Sequence, residues 1–229
     1  MLTVQKAFSF PFKDHEWPVK LLIGSVLAIL PIVSFFANGY AYNIFKRELR
    51  REEPILPEWD NWGDLFVQGF LIFAIEFIYM IIPLLFVIFG SVLLFGTMSD
   101  LFLRDYLVSA SIAGAMFLGA GILLFFAVVF ISPMAICNYA KYGEDFSAAF
   151  KLWEIIPNIS RVFGDYLIAF VLIFALVVVM LMFCMIPYLG LLFVIAFSFY
   201  VYYLVPYSLF GMACAEVYGK VRAPHEGRT

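Results

Sequence analysis

Two stretches of this chain, residues 64–98 and 106–140, are almost continuously apolar from end to end. A helix rises about 1.5 Å per residue, so about 20 apolar residues cross the hydrocarbon core of a bilayer. Both stretches therefore predict membrane-spanning helices that are longer than one upright crossing requires. Composition agrees, because 65% of the residues are hydrophobic and 14% are charged, whereas soluble domains average about 45–50% and about 25%.

Three further apolar segments complete a predicted all-α, polytopic transmembrane helical bundle of about five kinked spans. The predicted spans are residues 18–45, 64–98, 106–140, 165–185 and 191–217. Prolines inside these runs predict kinks, because each removes a helical hydrogen bond while the apolar run continues beyond it. The prolines are Pro31, Pro83, Pro133 and Pro206. For residues 64–98, two half-helices that meet at the internal proline are the alternative.

The predicted transmembrane domain covers residues 18–218, between two short segments. Residues 1–17 carry alternating phenylalanines around Pro11, which favours an aromatic segment lying on the interface over a flexible terminus. Residues 219–229 form a short tail. No cleavable signal is predicted, because charged residues precede the first apolar run and no small-residue cleavage pattern follows.

Residues 46–63 form the most polar loop, and its cations and tryptophans are predicted interface anchors and lipid contacts. They are Lys46, Arg47, Arg50, Arg51, Trp59 and Trp62. The cations also suit anionic headgroups, but neighbouring glutamates dilute the charge, so a purely topological role is equally open. Residues 141–164 repeat apolar positions at three- and four-residue steps, which predicts an amphipathic interfacial helix with Trp153 at headgroup depth.

The distribution of Lys and Arg predicts an orientation in the cell membrane. With five spans, one side holds the loop at 46–63, the segment at 141–164 and the tail. The other side holds only four cations, which are Lys6, Lys13, Lys20 and Arg104. The positive-inside rule therefore predicts a multi-pass protein with a cytoplasmic C-terminus.

Small residues recur at every fourth position in the predicted span at 106–140, which lets helix backbones approach closely. The predicted packing residues form two ridges and are Ala110, Ser111, Gly114, Ala115 and Gly119.

Two stretches resemble each other and indicate a parallel internal repeat. Each has a proline, a polar segment, a Gly-Asp pair that opens an apolar helix, and then an Ile-Pro pair. The corresponding residues are Pro31, Asp64 and Pro83 in the first stretch, and Pro133, Asp165 and Pro187 in the second. Both aspartates suit the N-terminal end of a helix. Chance similarity between apolar helices is the alternative.

Glu76 is the candidate functional residue, because it lies about a dozen residues into a predicted span. A charged acid at this depth costs about 2.5–3.5 kcal/mol, so an intramembrane carboxylate is a functional hypothesis by default. The functional interpretation is a proton-linked or cation-binding carboxylate. The alternative is a neutral glutamic acid that donates a hydrogen bond to a neighbouring helix.

The remaining residues predict no catalytic site, metal site or cofactor. Cys137, Cys184 and Cys214 are far apart in sequence and lack CxxC spacing, which argues against a disulfide framework or a zinc site. No histidine stands in a plausible frame with a nucleophile, and no basic patch suits nucleic acid. We therefore expect a non-enzymatic scaffold or accessory subunit whose partners are the lipid bilayer and other membrane proteins or a second copy. The alternative is a small transporter or channel that uses Glu76.

Several segments carry a family resemblance. They are FSFPFKD at 8–14 with Trp17 and residues 20–24, Gly39-Tyr40, LPEWDNWGDLF at 56–66 with Gly69, and Pro133, Tyr139, Gly143 and Phe146. The chain resembles an uncharacterised family of archaeal and bacterial integral membrane proteins, domain of unknown function 4013, and the PEWD loop is the most specific element. The resemblance implies a prokaryotic multi-span membrane protein and no assigned activity.

Overall fold

The computed structural model describes residues 4–98, 107–186 and 188–219, and helices make up most of them. The α-helices are α1 (Val4–Ser9), α2 (Trp17–Ile29), α3 (Ser34–Leu49), α4 (Trp62–Met98), α5 (Leu107–Lys141), α6 (Leu152–Arg161), α7 (Phe163–Cys184), α8 (Leu189–Phe199) and α9 (Val205–Gly219). Short 3-10 helices lie at Phe10–Lys13 and Phe146–Phe150, and a π-helix at Tyr200–Leu204 joins α8 to α9. The all-α prediction is confirmed for these residues.

Four helical segments are long and apolar enough to cross a membrane, which confirms the polytopic bundle. They are Trp62–Gly96, Val108–Lys141, Phe163–Cys184 and Phe193–Val217. Pro83 lies inside α4, so the stretch at 64–98 is one helix and not two half-helices. With 37 residues, α4 is about 55 Å long, well above the roughly 30 Å of the hydrocarbon core.

The first predicted span, residues 18–45, is wrong as a single crossing. The helix ends before Pro31 instead of continuing through it with a kink. Leu30 has φ −94° and ψ 123°, the extended backbone that is favoured in a residue before proline. The turn closes when the Ser34 amide donates to the Leu30 carbonyl at 2.7 Å. With 13 and 16 residues, α2 and α3 are about 20 and 24 Å long, and neither reaches across the core.

Helices α2 and α3 instead form a hairpin that returns the chain to the side on which it started. Three ion pairs join the N-terminal segment and the first turn of α2 to the residues at and after the end of the hairpin: Lys6–Glu48 at 3.2 Å, Lys13–Glu53 at 3.4 Å and Lys20–Glu58 at 2.5 Å. The prediction that the N-terminal segment and the loop at 46–63 lie on opposite sides is therefore wrong.

With four spans instead of five, Lys and Arg are distributed even more unequally between the two sides of the membrane. With four spans, every Lys and Arg of the chain except Arg104 precedes α4, lies at the end of α5 or between α5 and α7, or follows the last span. These three regions share one side. Arg104 and the predicted tail beyond Gly219 lie outside the described residues.

The first of two compact units comprises Met1–Phe73 and Met134–Thr229. Within it α3 packs along α9, α2 along α8, and α7 against α8 and α9. Helix α3 also meets the start of α4 at two glycines. A Cβ at Gly39 would overlap the Leu65 carbonyl, and one at Gly69 would overlap the Phe35 carbonyl. Glycine is therefore required for this close approach of two backbones.

The second unit, Ala74–Pro133, pairs the rest of α4 with the rest of α5 in antiparallel fashion. A Cβ on Gly114 would lie 3.0 Å from the Gly90 carbonyl oxygen, and one on Gly121 would lie 3.0 Å from the Val87 amide nitrogen. Phe117 packs against Phe86 and Phe89, with ring centroids 5.5 and 4.9 Å apart. This is a close two-helix contact of the kind that small residues permit in membranes.

Of the predicted packing residues, Gly114 lies in this contact, while Ala110 and Ser111 are half-buried. Ala115 and Gly119 are exposed, and nothing lies within 4 Å of a Cβ placed on Gly119. Their predicted packing against another helix stays a prediction, because the contact face between α4 and α5 continues from Gly114 to Gly121, seven residues on and so two helical turns away. The second ridge therefore faces outward at Ala115 and Gly119.

An amphipathic helix is present where the segment 141–164 predicts one, as α6. Its inner face buries Ile155, Asn158 and Ile159, and its outer face exposes Trp153 and Ile156. Proline at position 157 lies within this short helix. An apolar outer face is typical of a helix that lies along a membrane surface.

The two halves of the predicted repeat agree at one point and differ at another. Asp64 and Asp165 both lie in the first turn of a spanning helix, α4 and α7. The segments before them differ, because an irregular loop precedes α4, whereas a 3-10 helix and α6 precede α7. Pro187 lies outside the described residues.

Four spans make a labelling prediction that five spans do not. In a background without Cys184, the exposed cysteine, single cysteines at His15 and Glu53 should react with impermeant thiol reagents from the same side. A cysteine at Ser99 should react from the opposite side. Labelling of positions 15 and 99 together, with 53 opposite, would restore the five-span topology.

Candidate functional site

Glu76 lies in the second unit and is half-buried on α4. Among the described residues its carboxyl group has no hydrogen-bond or ion-pair partner, so the hydrogen bond of the alternative interpretation, a neutral glutamic acid, is not found among them. Exposed Phe73, Phe77 and Ile78 surround it along the helix.

A three-residue ion cluster holds the loop after α3 against the N-terminal segment. The Lys20 ammonium group donates to Asp14 at 2.8 Å and to Glu58 at 2.5 Å. The side chain of Lys20 is 5% exposed and that of Asp14 is 14% exposed, whereas that of Glu58 is 66% exposed. The Lys20–Asp14 pair is therefore the largely buried one. The hydrogen bond from Lys20 holds the pKa of Asp14 below its usual range.

Aromatic contacts fasten the same loop. The Trp59 ring stacks on Tyr40 with centroids 4.1 Å apart, and its indole N–H donates to the Lys20 carbonyl at 3.3 Å. The Tyr40 hydroxyl donates to the Pro57 carbonyl at 2.7 Å. Trp62 stacks on Trp59 at 5.7 Å. The two predicted interface anchors thus also have a packing role inside the protein.

A second buried carboxylate, Glu48, was not recognised from the sequence as a buried group. It lies on α3, is 2% exposed, and accepts hydrogen bonds from Ser208 at 2.8 Å and from Lys6 at 3.2 Å. Burial raises the pKa of Glu48, and the contacts with Ser208 and Lys6 oppose that rise. The available sequence signal is its place on the buried face of α3, four residues after Ile44 on the same side of the helix.

The ends of α3 and α5 enclose a basic pocket. Its volume is about 260 Å³, and it is lined by Lys46, Leu49, Arg50, Ala140, Lys141, Gly143 and Glu144. Lys46 pairs with Glu144 at 3.0 Å, and its ammonium group also lies 4.8 Å from the centre of the Tyr42 ring. Two of the four predicted lipid-contact cations, Lys46 and Arg50, thus line the pocket, while Arg47 and Arg51 do not.

Both helices that form the pocket end in the same way. After α3, Arg51 has φ +57°, and after α5, Gly143 has φ +72°. The Glu52 amide donates to the Arg47 carbonyl at 3.0 Å, and the Glu144 amide donates to the Tyr139 carbonyl at 2.9 Å. Such left-handed endings with a bond back across five residues are Schellman motifs, which satisfy the last carbonyls of a helix.

Two cysteines that are distant in sequence meet in the structure. Cys137 of α5 and Cys214 of α9 are both fully buried, and their side chains contact each other as free thiols. Cys184 is exposed. Among the described residues no cluster of three or more His, Cys, Asp or Glu side chains is placed to hold a metal ion.

Comparison with known proteins gives one family. The profile of a protein family of unknown function, DUF4013, matches residues 22–189. The chain belongs to this family. A relative, the uncharacterised protein MJ1189 of Methanocaldococcus jannaschii, is 30% identical over 156 residues, which cover 65% of this chain and 48% of that protein. The chain therefore spans about half the length of this relative. No solved structure matches the chain.

The geometry gives physical reasons for several residues by which the chain resembles DUF4013. Asp14, Lys20 and Glu58 come from separate segments and meet in one ion cluster. Gly39 and Gly69 permit the close contact between α3 and α4. These are structural roles, because each residue supports the packing of the hairpin and its following loop.

The Lys20–Asp14 pair makes a stability prediction. Asp14→Asn should cost about 1–3 kcal/mol, because it weakens a hydrogen bond to a buried charge. Glu58→Gln should cost less than about 1 kcal/mol, because its carboxylate is mostly exposed. Thermal unfolding of the purified chain in detergent measures both.

The pH dependence has a definite sign. A carboxyl group with a lower pKa in the folded than in the unfolded protein stabilises the fold above about pH 4, and this contribution disappears as the pH falls further. The melting temperature of the wild type should therefore fall more steeply on acidification than that of Asp14→Asn. Equal slopes would show that Asp14 contributes nothing through its charge.

Proposed function

We propose that this chain is a non-enzymatic integral membrane protein that serves as a scaffold or accessory subunit. The supporting observation is the outward-facing pair Ala115 and Gly119 on α5. They lie four residues apart on one helical face, and the side chains of Ile112, Met116 and Leu123 beside them are exposed. Small residues at this spacing form a groove into which another transmembrane helix packs closely.

Two polar side chains inside the first unit, those of Asn38 and Ser25, support the same proposal. Asn38 donates to the Gly69 carbonyl and accepts from the Tyr207 hydroxyl. Ser25 donates to the Ala196 carbonyl at 3.2 Å and accepts from the Phe199 amide at 3.3 Å. These groups hold helices together, and their hydrogen-bonding capacity is used within the protein.

The proposed orientation places the N-terminal segment and the residues after α9 in the cytoplasm of a cell whose plasma membrane holds the four spans. The supporting observation is the position of every Lys and Arg except Arg104 on one side of the four candidate spans. The positive-inside rule assigns that side to the cytoplasm.

Bulky residues in the groove should test the scaffold proposal. Ala115→Leu combined with Gly119→Leu should abolish the association of the protein with its partner helix, because the added side chains keep the backbones apart. Self-association is measured by energy transfer between labelled copies in liposomes, and association with other proteins by quantitative crosslinking in native membranes. Gly164→Leu is the control, since it adds the same bulk at another exposed glycine with nothing within 4 Å. Unchanged association in both assays would contradict the proposal.

A small transporter is the second candidate, and the Glu76 carboxyl, which has no partner among the described residues of an apolar span, favours it. Under that function, Glu76→Gln should abolish proton- or cation-coupled flux in liposomes while the fold is retained. Under the scaffold function, wild type and Glu76→Gln should show the same background leak. A flux that depends on Glu76 would replace the scaffold proposal.

A further inference from the structure

The basic pocket between the ends of α3 and α5 has an excess of positive charge. Lys46, Arg50 and Lys141 line it, and Glu144 is the one acidic residue of the lining. The Glu144 carboxylate forms an ion pair with Lys46 and so neutralises one of these three positive charges. The Lys141 ammonium group lies 5.2 Å from the centre of the Tyr142 ring, a contact that leaves its charge uncompensated. Arg50 and Lys141 are two further cationic residues in the lining of this cavity of about 260 Å³.

Cations at the C-terminal end of a helix have an ordinary explanation, since they compensate the partial negative charge of the last carbonyls. At this pocket those carbonyls already have main-chain partners. The Arg50 amide donates to the Lys46 carbonyl at 3.2 Å, and the Tyr142 amide donates to the Asn138 carbonyl at 3.1 Å. The Schellman bonds satisfy further carbonyls of both helices. The cationic side chains are therefore not required as caps.

We propose that this pocket binds a phosphate group, carried either by the headgroup of an anionic lipid or by a small soluble phosphate. Arg50 offers a planar fork of donors that matches phosphate oxygens, and Lys46 and Lys141 offer compact charges. The pocket lies at the end of a candidate span, Val108–Lys141, which is the depth at which lipid phosphates are found. Its volume suits a phosphate with a short polar substituent, not a large ligand.

Glu144 has a defined part in this binding. In the free pocket its carboxylate occupies Lys46 at 3.0 Å. A bound phosphate competes for the same ammonium group, so the carboxylate weakens binding. Removal of the carboxylate charge therefore strengthens binding.

The test uses the full-length chain, purified in neutral detergent and depleted of lipid. Native mass spectrometry measures retention of phosphatidylglycerol against phosphatidylcholine, and calorimetry measures binding of inorganic phosphate. Arg50→Gln and Lys141→Gln should each weaken binding of the retained probe roughly tenfold or more, as expected for a charge-assisted hydrogen bond. Glu144→Gln should strengthen it.

Arg47→Gln and Arg51→Gln are matched controls, because they remove the same charge from the same segment but do not line the pocket. They should change binding less than about threefold, as expected for screened surface charges. Retention of phosphatidylglycerol without phosphate binding identifies a lipid headgroup as the ligand, and phosphate binding alone identifies a soluble ligand. Equal weakening by all four Arg and Lys variants, or no binding of either probe, would overturn the proposal. Circular dichroism and melting temperature confirm that each variant is folded.

Discussion

The turn at Leu30–Val33 determines the topology of the whole chain. The backbone is extended at Leu30, a conformation that proline favours in the residue before it, and α2 ends there instead of continuing into α3. Helices α2 and α3 are each too short to cross the hydrocarbon core, and as a hairpin they bring the chain back to the side on which it started. The remaining four apolar segments then cross the membrane an even number of times. The N-terminal segment, the loop after α3 and the segment before α7 consequently meet on one side, where their opposite charges pair.

The buried charged side chains on this side of the protein have hydrogen-bonding partners of opposite charge close by. The Lys20 ammonium group donates to the carboxylates of Asp14 and Glu58. The Glu48 carboxylate accepts from the Lys6 ammonium group and the Ser208 hydroxyl group. A buried ion pair is weak evidence for net stability, because desolvation offsets much of the attraction. Its more secure consequence is specificity, since an alternative packing of α3 would leave Glu48 buried without Lys6 or Ser208. The glycine contacts with α4 favour the same packing.

Sequence patterns predicted the helical class, the positions of four spans and the amphipathic α6, because apolar length and periodicity are local properties of the chain. They did not predict the hairpin, because Pro31 lies between apolar residues just as Pro83 does, and Pro83 lies inside a continuous helix. The outcome depends on tertiary contacts, in which the ion pairs of Lys6, Lys13 and Lys20 hold the ends of the hairpin together. Glu48 and the Cys137–Cys214 contact depend on the same long-range packing, which spacing in one sequence does not reveal.

The even number of spans also affects how the protein enters a membrane. In the orientation that we propose, only the segments between α4 and α5 and between α7 and α8 must be carried to the far side. Arg104 is the sole Lys or Arg that must make this passage. Each such side chain costs about 2.5–3.5 kcal/mol at the centre of the bilayer. Insertion as helix pairs thus avoids nearly all of that barrier for the cations, and neither the N-terminal segment nor the residues after α9 need to be translocated.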